Sequence, residues 1–257
     1  MTRNQNFSRT GILNILFQVV YLVLLYFFGN KTLPDLSPVM GTCVRLLIVF
    51  VPCGLWTLFF YLQDRIEPEP TRYVTAAFIA GMAGASLFIL PAFNIVFNLN
   101  EWIHESFMML SVGSVFIVGA MVSSFFYGVI RYGFYPSREF DEPVDGMVYG
   151  AFIGAGFAAI DSLRYLSAHA DYTLFAMGYN AASNVIVYAS VGSLVGYFVG
   201  KGKFADKPSL SFSFTGILVM PRKLGRTLIT APISQDWSRL TQRLVMWTYS
   251  FTNTQRR

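Results

Sequence analysis

The chain is 257 residues long, 54% hydrophobic and only 13% charged, with a formal net charge of +5. Soluble domains carry about 25% charged residues, so this composition excludes a single soluble globular domain and, equally, intrinsic disorder. With only His104 and His169 available, a histidine-rich metal centre is excluded as well, and the positive excess is expected in cytoplasmic loops rather than on a nucleic-acid surface.

Six apolar runs are long enough to cross about 30 Å of hydrocarbon: Ile12–Phe28, Cys43–Leu62, Val74–Phe97, Phe107–Ile130, Met147–Leu166 and Leu174–Val199. The first ends in Tyr26, Phe27 and Phe28 without a small-x-small site, and reads as a retained span rather than a cleavable signal peptide. The second holds Cys43 and Cys53, separated by about 15 Å of helical rise. That is too far for a disulfide, and both are expected to be inert buried thiols. Arg45 lies near the outer end of the same span and is expected to snorkel. Pro52 and Pro91 sit inside spans and are expected to kink them. Arg3, Arg9, Arg65, Arg72, Arg131, Arg138, Lys201, Lys203 and Lys207 fall on one side, against Lys31 and Arg164 on the other. That bias places both termini in the cytoplasm.

The fifth span opens with Gly146, Gly150 and Gly154, and the sixth ends with Gly192, Gly196 and Gly200, all at four-residue spacing. Such stripes let helix backbones approach closely in lipid. They read either as a groove for a guest helix or, more commonly, as packing of these two helices on each other. After Val199 the character changes. Residues 201–257 carry a net +8, and the first 200 residues sum to −3. The tail has no apolar run long enough to span. Leu210–Met220 reads as a strand or an interfacial segment. Trp237, Leu240, Leu244, Trp247 and Phe251 recur at helical spacing and predict an amphipathic helix. Arg222, Lys223 and Arg226 suit anionic lipid headgroups, whereas the Trp237–Trp247 stripe suits a hydrophobic groove on another subunit. The two readings stand level.

Two loops are unusual. Gln63-Asp64-Arg65-Ile66-Glu67-Pro68-Glu69-Pro70 sets three acids and two prolines at one cytoplasmic boundary, and Ser137-Arg138-Glu139-Phe140-Asp141-Glu142-Pro143-Val144-Asp145-Gly146 sets four acids at another. From composition alone they read equally well as solvated turns in which proline ends a helix. The second loop runs straight into Met147-Val148-Tyr149-Gly150-Ala151-Phe152-Ile153-Gly154-Ala155-Gly156-Phe157-Ala158-Ala159-Ile160-Asp161-Ser162. From Glu139 to Ala159 the sequence resembles the PrsW family of intramembrane proteases, membrane relatives of CAAX-processing and bacteriocin-processing enzymes. The first loop resembles the family's acidic, proline-containing loop, and Val195-Gly196-Tyr197-Phe198-Val199-Gly200-Lys201 resembles the end of its His-bearing helix. The resemblance covers roughly residues 45–204 and leaves the basic tail outside it.

The resemblance implies a Glu pair before the acidic loop, a Glu-Asn pair ending the glycine-rich span, and a His in the span after it. A buried carboxylate would activate water while His and a second carboxylate hold a metal or polarise the carbonyl. On this sequence the Glu pair falls at Ser123-Ser124, with Tyr127 at the implied Lys. The Glu-Asn pair falls at Asp161-Ser162 and the His at Tyr188. Hydroxyls are poor metal ligands at neutral pH and cannot replace carboxylate bases, so neither metal nor cofactor is expected. A nucleophilic Ser123 or Ser124 would need a base, and His104 and His169 fall at the opposite rim. Asp161 is the one acid placed inside a span, so an aspartate dyad lacks its second member. Pairing with Arg164, three residues on, is its preferred role, although intramembrane acids are functional suspects by default.

The sequence therefore reads as an all-α polytopic membrane protein, with a PrsW-like six-helix domain over 1–203 and a basic amphipathic cytoplasmic tail over 204–257. The implied function is that of a non-catalytic pseudoprotease in the bacterial inner membrane, a scaffold or accessory subunit that binds transmembrane partners. The rival is an active PrsW-type peptidase with a reduced site around Asp161. A small-molecule carrier is unsupported, because no inverted repeat is found. No nucleic-acid partner is expected.

Overall fold

The computed structural model describes residues 2–27, 36–63, 69–98, 106, 108–109 and 113–204. His104, Lys31, residues 64–68 and the tail from 205, with Arg222, Lys223, Arg226, Trp237, Leu240, Leu244 and Trp247, lie outside the described residues. The elements are α1 (Thr2–Phe27), α2 (Pro38–Gln63), α3 (Thr71–Gly84), α4 (Ala120–Gly128), α5 (Pro143–Ala168) and α6 (Leu174–Lys203). Wider π-helical turns extend α3 at Ala85–Ile89 and Ala92–Val96, and bracket α4 at Gly113–Gly119 and Val129–Phe134. Among the described residues there is no strand. Among the described residues six segments are long and apolar enough to cross a membrane, and they coincide with the six predicted spans; the fourth runs Phe116–Phe134, ending later than predicted.

Helix α5 is the centre: 72% of its most apolar window is buried, against 11% for the first span. Its small residues allow this. On one side Gly146 and Gly150 lie against the backbone carbonyls of Gly196 and Gly192, and Gly154 against the carbonyl of Tyr188. On another, Gly156 meets the backbone of Phe78 while Gly81 of α3 meets that of Ile153. With no Cβ between them, the backbones touch directly, which supplies the close packing that lipid cannot provide through hydrophobicity.

Proline chemistry explains the seam between α1 and α2. Pro52 lies inside α2 and has no N–H, so the Ile48 carbonyl loses its intrahelical donor. Helix α1 supplies a replacement: Tyr21 OH donates to Ile48 O at 2.7 Å, and Gln18 Nε2 donates to Pro52 O at 3.3 Å. Tyr21 thereby serves the carbonyl that the proline leaves open, and buried Gln18 adds a second polar tie between α1 and α2. Pro91 falls between the two π-helical turns, where Leu90 N–H bonds Ala85 O and Phe97 N–H bonds Ala92 O. Asn98 then ends the span at φ 46°, a left-handed conformation that Asn tolerates. Cys53 is buried, its thiol 3.7 Å from Ala155 O, but Cys43 is exposed. The expectation of two buried thiols is corrected by helical phase: ten residues rotate Cys43 about 80° from Cys53 around the axis. Both are free cysteines.

Candidate functional site

The described end of the first acidic loop, Glu69 and Pro70, lies beside the start of α5 at one end of the bundle. Pro143 is the first residue of α5, with Glu142 as N-cap. Asp145 Oδ2 accepts from Asp141 N–H at 2.8 Å and Glu142 N–H at 2.6 Å, closing a capping box. Pro70 likewise precedes α3 as its N-cap. Where described, these prolines begin helices rather than end them, because a missing N–H is harmless in the first turn. Glu69, buried to 4% exposure, accepts from Tyr149 OH. The Tyr149 ring stacks with Phe134 at 4.8 Å and Phe140 at 6.0 Å. Arg72 pairs with Glu139 at 3.8 Å, and Lys203 donates to the carbonyls of Tyr135 and Phe140 at 2.8 and 2.6 Å. The start of α3, the second loop, α5 and the end of α6 are thereby tied together.

The second polar cluster lies within the spans. Beyond Gly154 the small-residue seam ends, and α5 presents Asp161 and Ser162 to α6. Asn180, Asn184 and Tyr188, at four-residue spacing, share the facing side of α6. Asn184 Nδ2 lies 3.3 Å from each of Asp161 Oδ2, Ser162 Oγ and Asn180 Oδ1. Tyr188 OH donates to Asp161 Oδ2 at 3.5 Å. Ser162 and Tyr188 are buried, whereas Asp161, Asn180 and Asn184 are partly exposed.

Of the positions singled out in the sequence, the structure brings Asp161, Ser162 and Tyr188 together. It does not bring Ser123 or Ser124 to them: buried Ser123 spends its hydroxyl on the Gly119 carbonyl of its own helix at 2.6 Å, and Ser124 is exposed. Phe126, Phe157 and Tyr188 fill the adjoining space, with ring centroids 5.7 and 4.6 Å apart in sequence. The expected Asp161–Arg164 ion pair does not close into direct contact, although the Arg164 charge still acts on Asp161 through space. Arg164 instead donates to Asn94 Oδ1 at 2.9 Å, a partner on the α3 span. His169 caps α5, stacked on Tyr165 at 4.4 Å and tilted against Tyr172 at 4.9 Å. Asn180 and Asn184 were missed, although their four-residue spacing with Tyr188 was a readable signal.

Six apolar helices among the described residues, two of them a glycine-packed pair, define an integral membrane protein with a polar cluster inside its spans. The family described as PrsW family intramembrane metalloprotease matches residues 69–220, past the end of α6 and into the tail. The chain is similar to the Protease PrsW of Geobacillus kaustophilus, 31% identical over 162 residues, covering 63% of this chain and 68% of that one. It is also similar to the Protease PrsW of Bacillus subtilis, 30% identical over 171 residues (65% and 72%), and to that of Clostridioides difficile, 23% identical over 159 residues (62% and 66%). No solved structure shows significant similarity. The chain belongs to the PrsW family.

A metalloprotease centre needs His and carboxylate ligands with an open position for water. Among the described residues, no three His, Cys, Asp or Glu side chains gather where they could hold a metal ion. The set at Asp161 offers one carboxylate, two carboxamides, one alcohol and one phenol. These residues do not fit the metal that the family name implies.

Proposed function

We propose that this protein is a pseudoprotease: a PrsW-family membrane protein that binds transmembrane partners without cleaving them, as a scaffold or accessory subunit. The observation that carries this reading is the donor set at the family's positions. Ser123 is committed to its own helix, Ser124 faces outward, and Tyr188 is bonded to Asp161. General acid–base and metal-assisted hydrolysis both need groups that these side chains cannot supply. In this reading the protein sits in the bacterial inner membrane with both termini in the cytoplasm, and the tail docks on a partner subunit or on anionic lipid.

The test is gentle purification from the native membrane, for the full chain and for a chain lacking residues 234–257. Stoichiometric partners that depend on the tail support the proposal. A protein that leaves the membrane alone overturns the scaffold role, and full partner recovery without the tail overturns the docking role.

A further inference from the structure

Helix α1 carries its polarity in an unexpected place. From residue 10 to residue 27 its two buried positions are Asn14 and Gln18, 6% and 7% exposed, and the rest of that stretch is partly or fully exposed. Three contacts fix how α1 runs against α2: Gly11 faces the Phe59 ring, Gln18 bonds Pro52 O and Tyr21 bonds Ile48 O. The two helices are antiparallel, and this register sets Asn14 level with Trp56. At that level three buried atoms lack a hydrogen-bond partner: Asn14 Oδ1, Gln18 Oε1 and Trp56 Nε1. Gln18 already spends its Nε2 on Pro52 O, which fixes its oxygen as the free end. A buried acceptor without a donor costs its full desolvation, and leucine at position 14 would remove that cost. Within the chain itself the Asn14 oxygen therefore has no evident use.

We infer that Asn14, Gln18 and Trp56 form the contact point for a carboxamide side chain on a partner transmembrane helix. The count of hydrogens selects the group. Two oxygens need donors and one N–H needs an acceptor, and a carboxamide offers two hydrogens and an oxygen on one planar group. A hydroxyl has one hydrogen. An ammonium or guanidinium has no acceptor and brings a charge that is costly at membrane depth. Interhelical bonds of this kind hold helices together in lipid, where apolar surface gives no drive of its own. The way in is the edge at Trp56. Its ring packs with those of Phe59 and Phe60, centroids 5.6 and 6.2 Å away, and all three residues are partly exposed. Side chains there can turn aside for a guest, as backbone cannot.

This inference rests on the proposal that the protein holds transmembrane partners, and it is tested with a defined helix. The full chain, with a donor dye on exposed Cys43, is reconstituted in vesicles with an acceptor-labelled, leucine-rich single-span peptide. The peptide carries asparagine one turn inside each end, so that either orientation presents one at the level of Asn14. Energy transfer should report binding about tenfold tighter than for the all-leucine peptide, with a serine version weaker than asparagine. Asn14→Leu and Trp56→Phe should each bring the asparagine-to-leucine ratio towards one, so that if one variant folds poorly the other decides. The unfolding midpoint of Asn14→Leu alone should not fall. Equal binding of asparagine and leucine peptides, a ratio retained in both variants, or serine matching asparagine would overturn the contact. So would a lower midpoint for Asn14→Leu, which would mean that its oxygen is already met within the chain. Each of these failures leaves the absence of cleavage standing, and cleavage of a substrate would overturn the proposed function without altering the peptide ratio.

Discussion

Replacing Gly150 with alanine tests the glycine seam that positions the whole site. The added methyl would lie on the carbonyl oxygen and carbon of Gly192, with Ser193 N at 3.2 Å. These are helix backbone atoms and cannot swing aside. Nor can α5 retreat freely, because on another face Gly156 already lies against Phe78, with Met82 N 3.1 Å from where its own Cβ would be. Two effects oppose each other. Alanine is favoured over glycine in a helix by about 1 kcal/mol. Overpacking a tight interface costs about 1–3 kcal/mol, and more where the surroundings are rigid. The clash should win, leaving a net loss of about 1–2 kcal/mol, read as a fall of about 3–6 °C in Tm. The control is Gly128→Ala, where nothing lies within 4 Å of the new methyl. It should be neutral or slightly stabilising. Thermal unfolding in one detergent compares the two, and a Gly150→Ala variant as stable as Gly128→Ala would refute the seam.

Tyr21→Phe leaves the Ile48 carbonyl without its donor and should cost about 0.6–1.7 kcal/mol. In a Pro52→Ala background, which restores an N–H to that carbonyl, the loss should shrink, and a double-mutant cycle of unfolding midpoints measures the difference. Asp145→Ala removes the acceptor for the Asp141 and Glu142 amides and should cost about 1 kcal/mol, again read by thermal unfolding. For topology, single cysteines at positions 30 and 100 should react with an impermeant reagent in intact cells, and one at exposed Asp141 only after permeabilisation. Labelling of position 141 in intact cells would reverse the orientation.

The six spans were legible because apolar length is a local property, and lipid leaves helices few alternatives. Glycine rows are legible for a related reason: four-residue spacing fixes a face whatever the partner. What stayed hidden depends on register between helices. Nothing local to Tyr21 announces that a proline 31 residues on will need its hydroxyl. Arg164 invites pairing with Asp161 at three residues' spacing, and only the packing of the α3 span offers Asn94 instead. Cys43 was misjudged because apolar surroundings in sequence do not give helical phase. Asn180 and Asn184 sit within an apolar run and carry no local signal beyond their four-residue spacing with Tyr188. Asp161, Ser162 and Tyr188 meet, and Ser123 and Ser124 do not join them.

A pseudoprotease binds membrane partners and leaves them whole. The direct measurement is a cleavage assay in reconstituted vesicles, with the Bacillus subtilis Protease PrsW as positive control and, as substrate, a membrane protein first shown to be cut by that control. The full chain and its Asp161→Asn variant should each leave that substrate intact over the time in which the relative consumes it. Cleavage by the full chain that Asp161→Asn abolishes, with the variant still folded, would contradict the account and restore the peptidase with a reduced site around Asp161.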